Sequence, residues 1–298
     1  MIHANNNPDD NLVRMEIQQL RETCDMERLH SDSSFREFAT PAMLWRLHIG
    51  LFVQIWSHLT GINVIMYYIT FVFGMANLSG NSNLVASSIN YVINVVVTVP
   101  ALLYLDKFGR RPILLAGSVS LTMWWFLCAG LMGAYGSPAP PGGLHNIAEE
   151  SWSITGAPAK VVIACSYLVV ASFAPSWGPV SWVYPPELSP LGLRGKAVAL
   201  STASNLMFNF ALSYFTPPAF VNIKWKTYLI YGVFSFAMTL HVFFCFPETA
   251  GKTLEEVEGL LSSNRPAWRT AVDNRKLERV MDSTCVGEKK DVTHEERA

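Results

Sequence analysis

Residues 47–75 read LHIGLFVQIWSHLTGINVIMYYITFVFGM, 29 positions without one Asp, Glu, Lys or Arg. An α-helix rises about 1.5 Å per residue, so about 20 mostly apolar residues cross the hydrocarbon of a bilayer. The stretch is long enough for that, and the absence of charge extends beyond it to Leu105. A second charge-free run goes from Pro112 to Ala148. Yet the first stretch is not uniformly apolar, because Gln54, Ser57, His58, Thr60, Asn63, Tyr67 and Tyr68 lie inside it.

Working outward, the 298-residue chain holds 45 charged side chains, 13 in residues 1–46, 20 in 247–298 and 12 in the 200 between. Charged residues total 15%, against about 25% in an average soluble domain. Two polar tails flanking an almost uncharged middle exclude an ordinary soluble α/β enzyme, a nucleic-acid binder and a disordered protein. Cutting the middle at its charged and Gly/Asn/Pro-rich breaks predicts six spans, at 47–75, 84–105, 112–134, 159–184, 197–219 and 226–246. Backbone groups in lipid must be satisfied within the segment, so helices are expected. Runs such as 95–97 (Val-Val-Val) do not alternate as barrel strands would. The expected domains are 1–46, a linker with an amphipathic helix around 15–20; 47–246, the six-span membrane domain; and 247–298, a tail with a second apolar period at 254–261. The five cysteines are scattered without C-x-x-C spacing, which suggests neither a disulfide framework nor a metal site.

Basic residues set the expected orientation. Lys107, Arg110, Arg111, Arg194, Lys196 and Lys252, with Arg36 and Arg46 ahead of the first span, mark the side of both termini as cytosolic. Lys160, Lys224 and Lys226 fall on the other side, where Asn77-Leu78-Ser79 forms a candidate glycosylation sequon.

Polar groups in lipid are costly and line a pathway or a helix contact. Gln54, Ser57, His58, Gly61 and Asn63 lie at offsets 0, 3, 4, 7 and 9, with Tyr67 four beyond Asn63, so they are predicted to share a helix face. Neutral amides and hydroxyls in a row suit an uncharged ligand rich in hydroxyls, since Gln and Asn both donate and accept. They equally suit interhelical hydrogen bonding, and spacing alone does not separate the two. Asn90 and Asn94, then Asn205 and Asn209, repeat the theme at i, i+4. Residues 174–182, APSWGPVSW, carry two prolines and a glycine, which predicts a broken helix of the kind that creates a hinge and a polar lining in transporters. Trp182 offers an apolar ring suited to stacking on a pyranose; an interfacial tryptophan is the competing reading. No Asp or Glu lies deep in a span, and a lone intramembrane histidine such as His58 is first of all a hydrogen-bonded packing residue. No nucleophile–base pair, metal-ligand spacing or phosphate loop is present, so neither an enzyme nor a cofactor is expected.

Four motifs in order resemble the sugar porter family of the major facilitator superfamily, of fungal hexose transporter type, and specifically its carboxy-terminal half. QIWSHLTGIN at 54–63 with Tyr67-Tyr68 is similar to the family's seventh-helix motif, DKFGRRP at 106–112 to its D-x-x-G-R-R loop, PELSPLGLR at 186–194 to P-E-x-x-P-x-x-x-R, and PETAGKT at 247–253 to P-E-T-x-G-K/R-T. Ser57 and His58 stand where the family usually has paired glutamines. The resemblance implies an all-α membrane protein of two three-helix inverted repeats, half of a twelve-helix transporter. It also implies transport of a hexose-like monosaccharide by alternating access at the plasma membrane. The sugar contacts it implies are Gln54, His58, Asn63, Tyr67, Asn94, Trp182, Asn205 and Asn209, and the cytosolic charge network is Asp106, Arg110, Arg111, Glu187, Arg194 and Glu248. The implied partners are a small neutral sugar and the bilayer, with protons (symport) if the other half is supplied, and no nucleic acid. The alternative is a truncated non-transporting fragment or a sugar-sensing interaction subunit.

Overall fold

The computed structural model describes residues 17–18, 38, 40–76, 78, 80–140, 143–144, 147 and 150–249, apart from the side chains at positions 42, 104–107 and 191. The expected tail helix at 254–261, the remainder of that at 15–20, and Asn77 lie outside the described residues.

Among the described residues from Thr40 onward, eight α-helices follow in order: α1 (Pro41–Leu59), α2 (Ile62–Met75), α3 (Gly80–Phe108), α4 (Arg110–Tyr135), α5 (Ala157–Phe173), α6 (Trp177–Leu188), α7 (Leu191–Asn222) and α8 (Lys226–Cys245). They make six traverses, because α1 with α2 and α5 with α6 are two broken spans. The second break falls where Pro175 and its neighbours were expected to interrupt the helix. The first differs from the expected continuous span at 47–75. Its cause is Gly61, held at φ +77° with Tyr231 and Trp125 against it, a left-handed conformation that a side chain would disfavour.

Among the described residues five segments are long and apolar enough to cross a membrane: Met43–Met75, Gly80–Leu103, Arg110–Tyr135, Ala157–Leu188 and Lys226–Cys245. The sixth traverse, α7, reaches about 48 Å at the helical rise but is more polar, carrying Ser201, Thr202, Ser204, Asn205, Asn209, Ser213 and Thr216. Its length and position complete the expected set of six, while its polarity foreshadows what it faces.

The packing has the pattern of two related triplets. Each broken span lies on the middle helix of the other triplet, α1 on α7 and α5 on α3, and the two third helices, α4 and α8, pack together most extensively. Between the broken spans, α1 meets α6 and α2 meets α5, so the first piece of one pairs with the second piece of the other. That is the arrangement an inverted repeat requires. One core runs through the bundle around Trp125, Trp177, Tyr184, Tyr228 and Tyr231, all buried. Lipid supplies no hydrophobic force between helices, so close approach at small residues takes its place. Gly117 of α4 shows this, since a Cβ there would fall 2.1 Å from the Ser176 hydroxyl at the α5/α6 break.

At one end a short hairpin, β1 (Ser137–Pro138) against β2 (Trp152–Ser153), clasps three helix termini. Ile154 N–H donates to the Met75 carbonyl at 2.9 Å and Trp152 Nε1 to the Met132 carbonyl at 2.8 Å, while the Ser151 hydroxyl donates to the Phe220 carbonyl. Carbonyls at helix ends are short of intrahelical donors; the hairpin supplies donors to Met75 and Phe220 and a second one to Met132, which also accepts from Gly136 N–H at 3.2 Å. Lys224 adds a cation–π contact, 5.8 Å from the Trp152 ring centre.

Candidate functional site

The α1/α2 break sits among polar side chains from four helices. On α1, Gln54 is 1% exposed; its Nε2 donates to the Ser181 carbonyl of α6 at 2.8 Å, and its Oε1 accepts from Asn205 Nδ2 of α7 at 2.6 Å. Just past the break, Asn63 Nδ2 donates to Asn209 Oδ1 on α7 at 2.9 Å and lies 2.7 Å from His58 Nδ1. Ser213 Oγ reaches Asn209 Oδ1 at 3.4 Å, and Tyr68 OH donates to the Ser213 carbonyl at 2.9 Å. The left-handed Gly61 makes this possible by turning the chain so that Asn63 folds back beside His58. Thr60 anchors the same turn: its hydroxyl donates to the Ser57 carbonyl at 2.7 Å, and its own carbonyl accepts from Trp125 Nε1 at 2.7 Å.

Gln54, His58, Asn63, Asn205 and Asn209 are thus brought together, and the polarity of α7 is explained by the face it turns to α1 and α2. Much of this amide network bonds helix to helix. These hydrogen bonds join helices, and two of the residues, His58 and Asn63, also border a gap lined further by Val64, Tyr67, Tyr68, Leu212, Ser213 and Thr216. Tyr67 and Trp182 are 57% and 56% exposed, large aromatic faces left open beside a buried amide cluster. Asn94 is half-buried on α3, and among the described residues no hydrogen bond joins its side chain to the cluster; its carbonyl accepts from Thr98. Ser181 and Ser213 were not anticipated, and Tyr68 was named as a polar residue of the span but not among the contacts. Ser181 and Ser213 accept through backbone carbonyls, for which side-chain chemistry gives no signal.

At the end opposite the hairpin the charged motifs converge. Arg110 donates to Glu187 Oε1 through Nη2 at 2.8 Å and Nε at 3.2 Å. Thr249 Oγ1 donates to the other oxygen of Glu187 at 2.8 Å. Glu248 accepts from the backbone N–H groups of Arg110 at 2.9 Å and Arg111 at 3.2 Å, so it caps the N-terminus of α4, where the helix dipole favours a negative charge. Tyr184 OH donates to the Pro247 carbonyl at 2.6 Å. Arg111 donates to the Phe243 carbonyl at 2.9 Å with its guanidinium over that ring. Arg194 Nε is buried without a hydrogen-bond partner among the described residues, and the Asp106 side chain lies outside them. The segment 247–249 therefore ties α4 to α6, a role assembled from three motifs far apart in the chain.

A third polar cluster joins α1 to α8. Trp56 Nε1 donates to His241 Nδ1 at 2.7 Å, and the Nε2 atoms of His241 and His48 lie 3.1 Å apart. Among the described residues no group of three or more His, Cys, Asp or Glu is placed to hold a metal.

The sequence profile described as "Sugar (and other) transporter" matches residues 2–261. The chain is 45% identical over 272 residues to the high-affinity glucose transporter of Kluyveromyces lactis, covering 91% of this chain and 49% of that one. It is 43% identical over 293 residues to high-affinity glucose transporter 1 of Candida albicans, covering 97% and 53%. Among solved structures, the proton:xylose symporter XylE bound to 6-bromo-6-deoxy-D-glucose aligns with a TM-score of 0.63 at 28% identity, over 84% of this chain and 49% of that one. The chain spans about half the length of the curated relatives it matches.

Proposed function

The chain belongs to the sugar transporter family, and on that premise we propose that it is the carboxy-terminal half of a hexose carrier working by alternating access. The observation that carries this reading is the amide network at the α1/α2 break with Tyr67 and Trp182 open beside it. Side chains that both donate and accept, flanked by aromatic faces, fit a ligand made of hydroxyls on an apolar ring. Among the described residues no Asp, Glu, Lys or Arg enters the cluster, which favours a neutral sugar over a charged solute. Gln54, His58, Asn63, Tyr67, Asn205, Asn209 and Trp182 are the proposed contacts. Asn94 belongs to the same proposal only if α3 presents it to the sugar.

The exposed surface supports a missing partner half. In the apolar window of α3 11% of residues are buried, against 61% across α1 and α2. Val92, Val96 and Val99 on α3, and Met207, Phe210 and Tyr214 on α7, are likewise exposed. A second six-helix half, packed on α3 and α7, would cover them and close the sugar cavity. The charged end around Glu187 and Glu248 is then the cytosolic side, with both termini there and the plasma membrane as the site. Proton coupling would depend on groups the other half brings.

The test is labelled-glucose uptake by hexose-uptake-deficient yeast expressing this chain alone, or together with the amino-terminal half of the Kluyveromyces lactis relative. Uptake is expected from the pair and not from the chain alone. If the pair is silent while that relative's own two halves restore uptake, the proposal fails.

A further inference from the structure

His48 of α1 and His241 of α8 face each other toward the end of the bundle that carries the charged motifs. Their Nε2 atoms lie 3.1 Å apart, and Trp56 Nε1 stands 2.7 Å from His241 Nδ1. An indole nitrogen only donates, so His241 Nδ1 accepts. The neutral ring then carries its proton on Nε2 and donates it to His48 Nε2, which leaves the His48 proton on Nδ1. This one arrangement of protons satisfies both bonds, and in it both imidazoles are neutral.

A further proton has no place in the chain. On His48 it occupies Nε2 and sets two donors against each other. On His241 it occupies Nδ1 and faces the Trp56 N–H. Sharing it between the two Nε2 atoms obliges His241 to carry its own proton on Nδ1, again against Trp56. Every protonated form therefore loses one of the two bonds. The rings packed around the pair, Trp45, Phe52 and Phe246, supply no acceptor in exchange. On the neighbouring elements Arg111 is bonded to the Phe243 carbonyl, Tyr184 to the Pro247 carbonyl, Glu187 to Arg110, and Glu248 to the α4 backbone. Arg46 of α1, Arg194 and Lys196 of α7 and Cys245 of α8 are the other titratable groups at this end. Among the described residues none of these groups hydrogen-bonds to either imidazole.

We infer that Trp56, His241 and His48 form an acid-sensitive clasp between α1 and α8, closed while both imidazoles are neutral and opened by one proton. The clasp seats the helix that also carries Gln54 and His58, so acidification at this end loosens that helix. The inference needs no sugar and does not depend on the proposed transport.

Thermal unfolding of the purified chain in detergent at about pH 8 and about pH 5.5, either side of the ordinary imidazole pKa of about 6.5, tests it. A clasp that excludes a proton which the unfolded chain takes up makes stability fall with pH. Acidification is expected to lower the Tm of the unmodified chain by about 2–4 °C more than that of two variants, the loss of one hydrogen bond. In Trp56→Phe nothing opposes a proton on His241 Nδ1, so the added proton is shared between the Nε2 atoms; this variant starts lower at alkaline pH and is less sensitive to acid. Trp56 does not titrate, so lost packing alone leaves the pH dependence unchanged. His48→Gln combined with His241→Gln keeps donors and acceptors without titrating, and the acid increment disappears. The inference is overturned if either variant loses as much Tm on acidification as the unmodified chain. A reading that needs no variant comes from isotope-labelled histidine: a nitrogen–nitrogen coupling across the Nε2–H···Nε2 bond is expected in the alkaline sample, and its absence there overturns the inference as well.

Discussion

Asn205 and Gln54 meet across 2.6 Å although 151 positions separate them in the chain. The bond joins α7 to α1, and Gln54 passes it on to the Ser181 carbonyl of α6. Truncating either amide leaves a buried partner unsatisfied, costing about 1–2 kcal/mol. Thermal unfolding of Gln54→Ala, Asn205→Ala and the double variant should show both singles destabilised and the double less so than their sum. The expected coupling is about 0.6 kcal/mol or somewhat more, the usual size for a hydrogen bond between membrane helices. Strict additivity would mean that the pair does not act as a unit.

Gly61 sets the break that brings Asn63 back to His58. A Cβ at this position would lie 2.7 Å from Tyr231 Cδ1 and 3.0 Å from Trp125 Cζ2, on a backbone at φ +77°. Gly61→Ala therefore carries about 1–2 kcal/mol of left-handed strain together with a further overpacking cost of about 1–3 kcal/mol. Folded yield in detergent should fall sharply. Gly130→Ala is the control, since nothing lies within 4 Å of its Cβ position, and it should leave the yield unchanged or raised. Equal behaviour of the two variants would deny Gly61 this role.

Glu248 spans the first backbone donors of α4, and Thr249 beside it holds Glu187. Glu248→Ala removes a charged cap from a buried helix terminus and should cost about 1–2 kcal/mol. Glu248→Gln keeps one acceptor oxygen and should retain about half of that. Thr249→Val leaves the cap and removes one bond to a carboxylate, with an expected loss of about 1 kcal/mol. Melting temperatures in the order wild type, Thr249→Val, Glu248→Ala check the assignment; a neutral Glu248→Ala would remove it.

Trp125 and Trp182 test packing against lining. Trp125 is 1% exposed and donates to the Thr60 carbonyl, so Trp125→Ala should cost about 3–5 kcal/mol. Trp182 is 56% exposed, and Trp182→Ala should change stability by less than about 1 kcal/mol. At the proposed sugar site it should nevertheless raise the KM for glucose, about tenfold, with little change in protein level. A Trp182→Ala variant that is unstable but kinetically normal would place this residue in the packing instead.

Much of the architecture was legible because lipid leaves few choices. Long apolar segments without charge fix the spans, and proline with glycine at 175–179 announced the second break. The first break was less visible, since a lone glycine within an apolar run specifies no φ; Trp125 and Tyr231, from α4 and α8, close around it. Of the six residues expected in a charge network, Arg110, Arg111, Glu187 and Glu248 lie together, the Asp106 side chain is outside the described ones, and Arg194 Nε has no partner among them. Glu187 does pair with Arg110, whereas Glu248 is held by two backbone N–H groups, a partner that any residue at the start of α4 would supply.

The amino-acid sequence alone determined the helical membrane class, the order of the spans and which side chains are polar within them, because hydropathy and backbone satisfaction are local properties. Tertiary structure alone decided what those polar groups do. It set Gln54 between Ser181 and Asn205, brought the Asn63 amide to 2.7 Å from His58 Nδ1, and left Trp182 and Tyr67 uncovered. A hydrogen-bond partner lies wherever packing brings it, here on helices more than a hundred residues away, and periodicity along one helix carries no record of that distance.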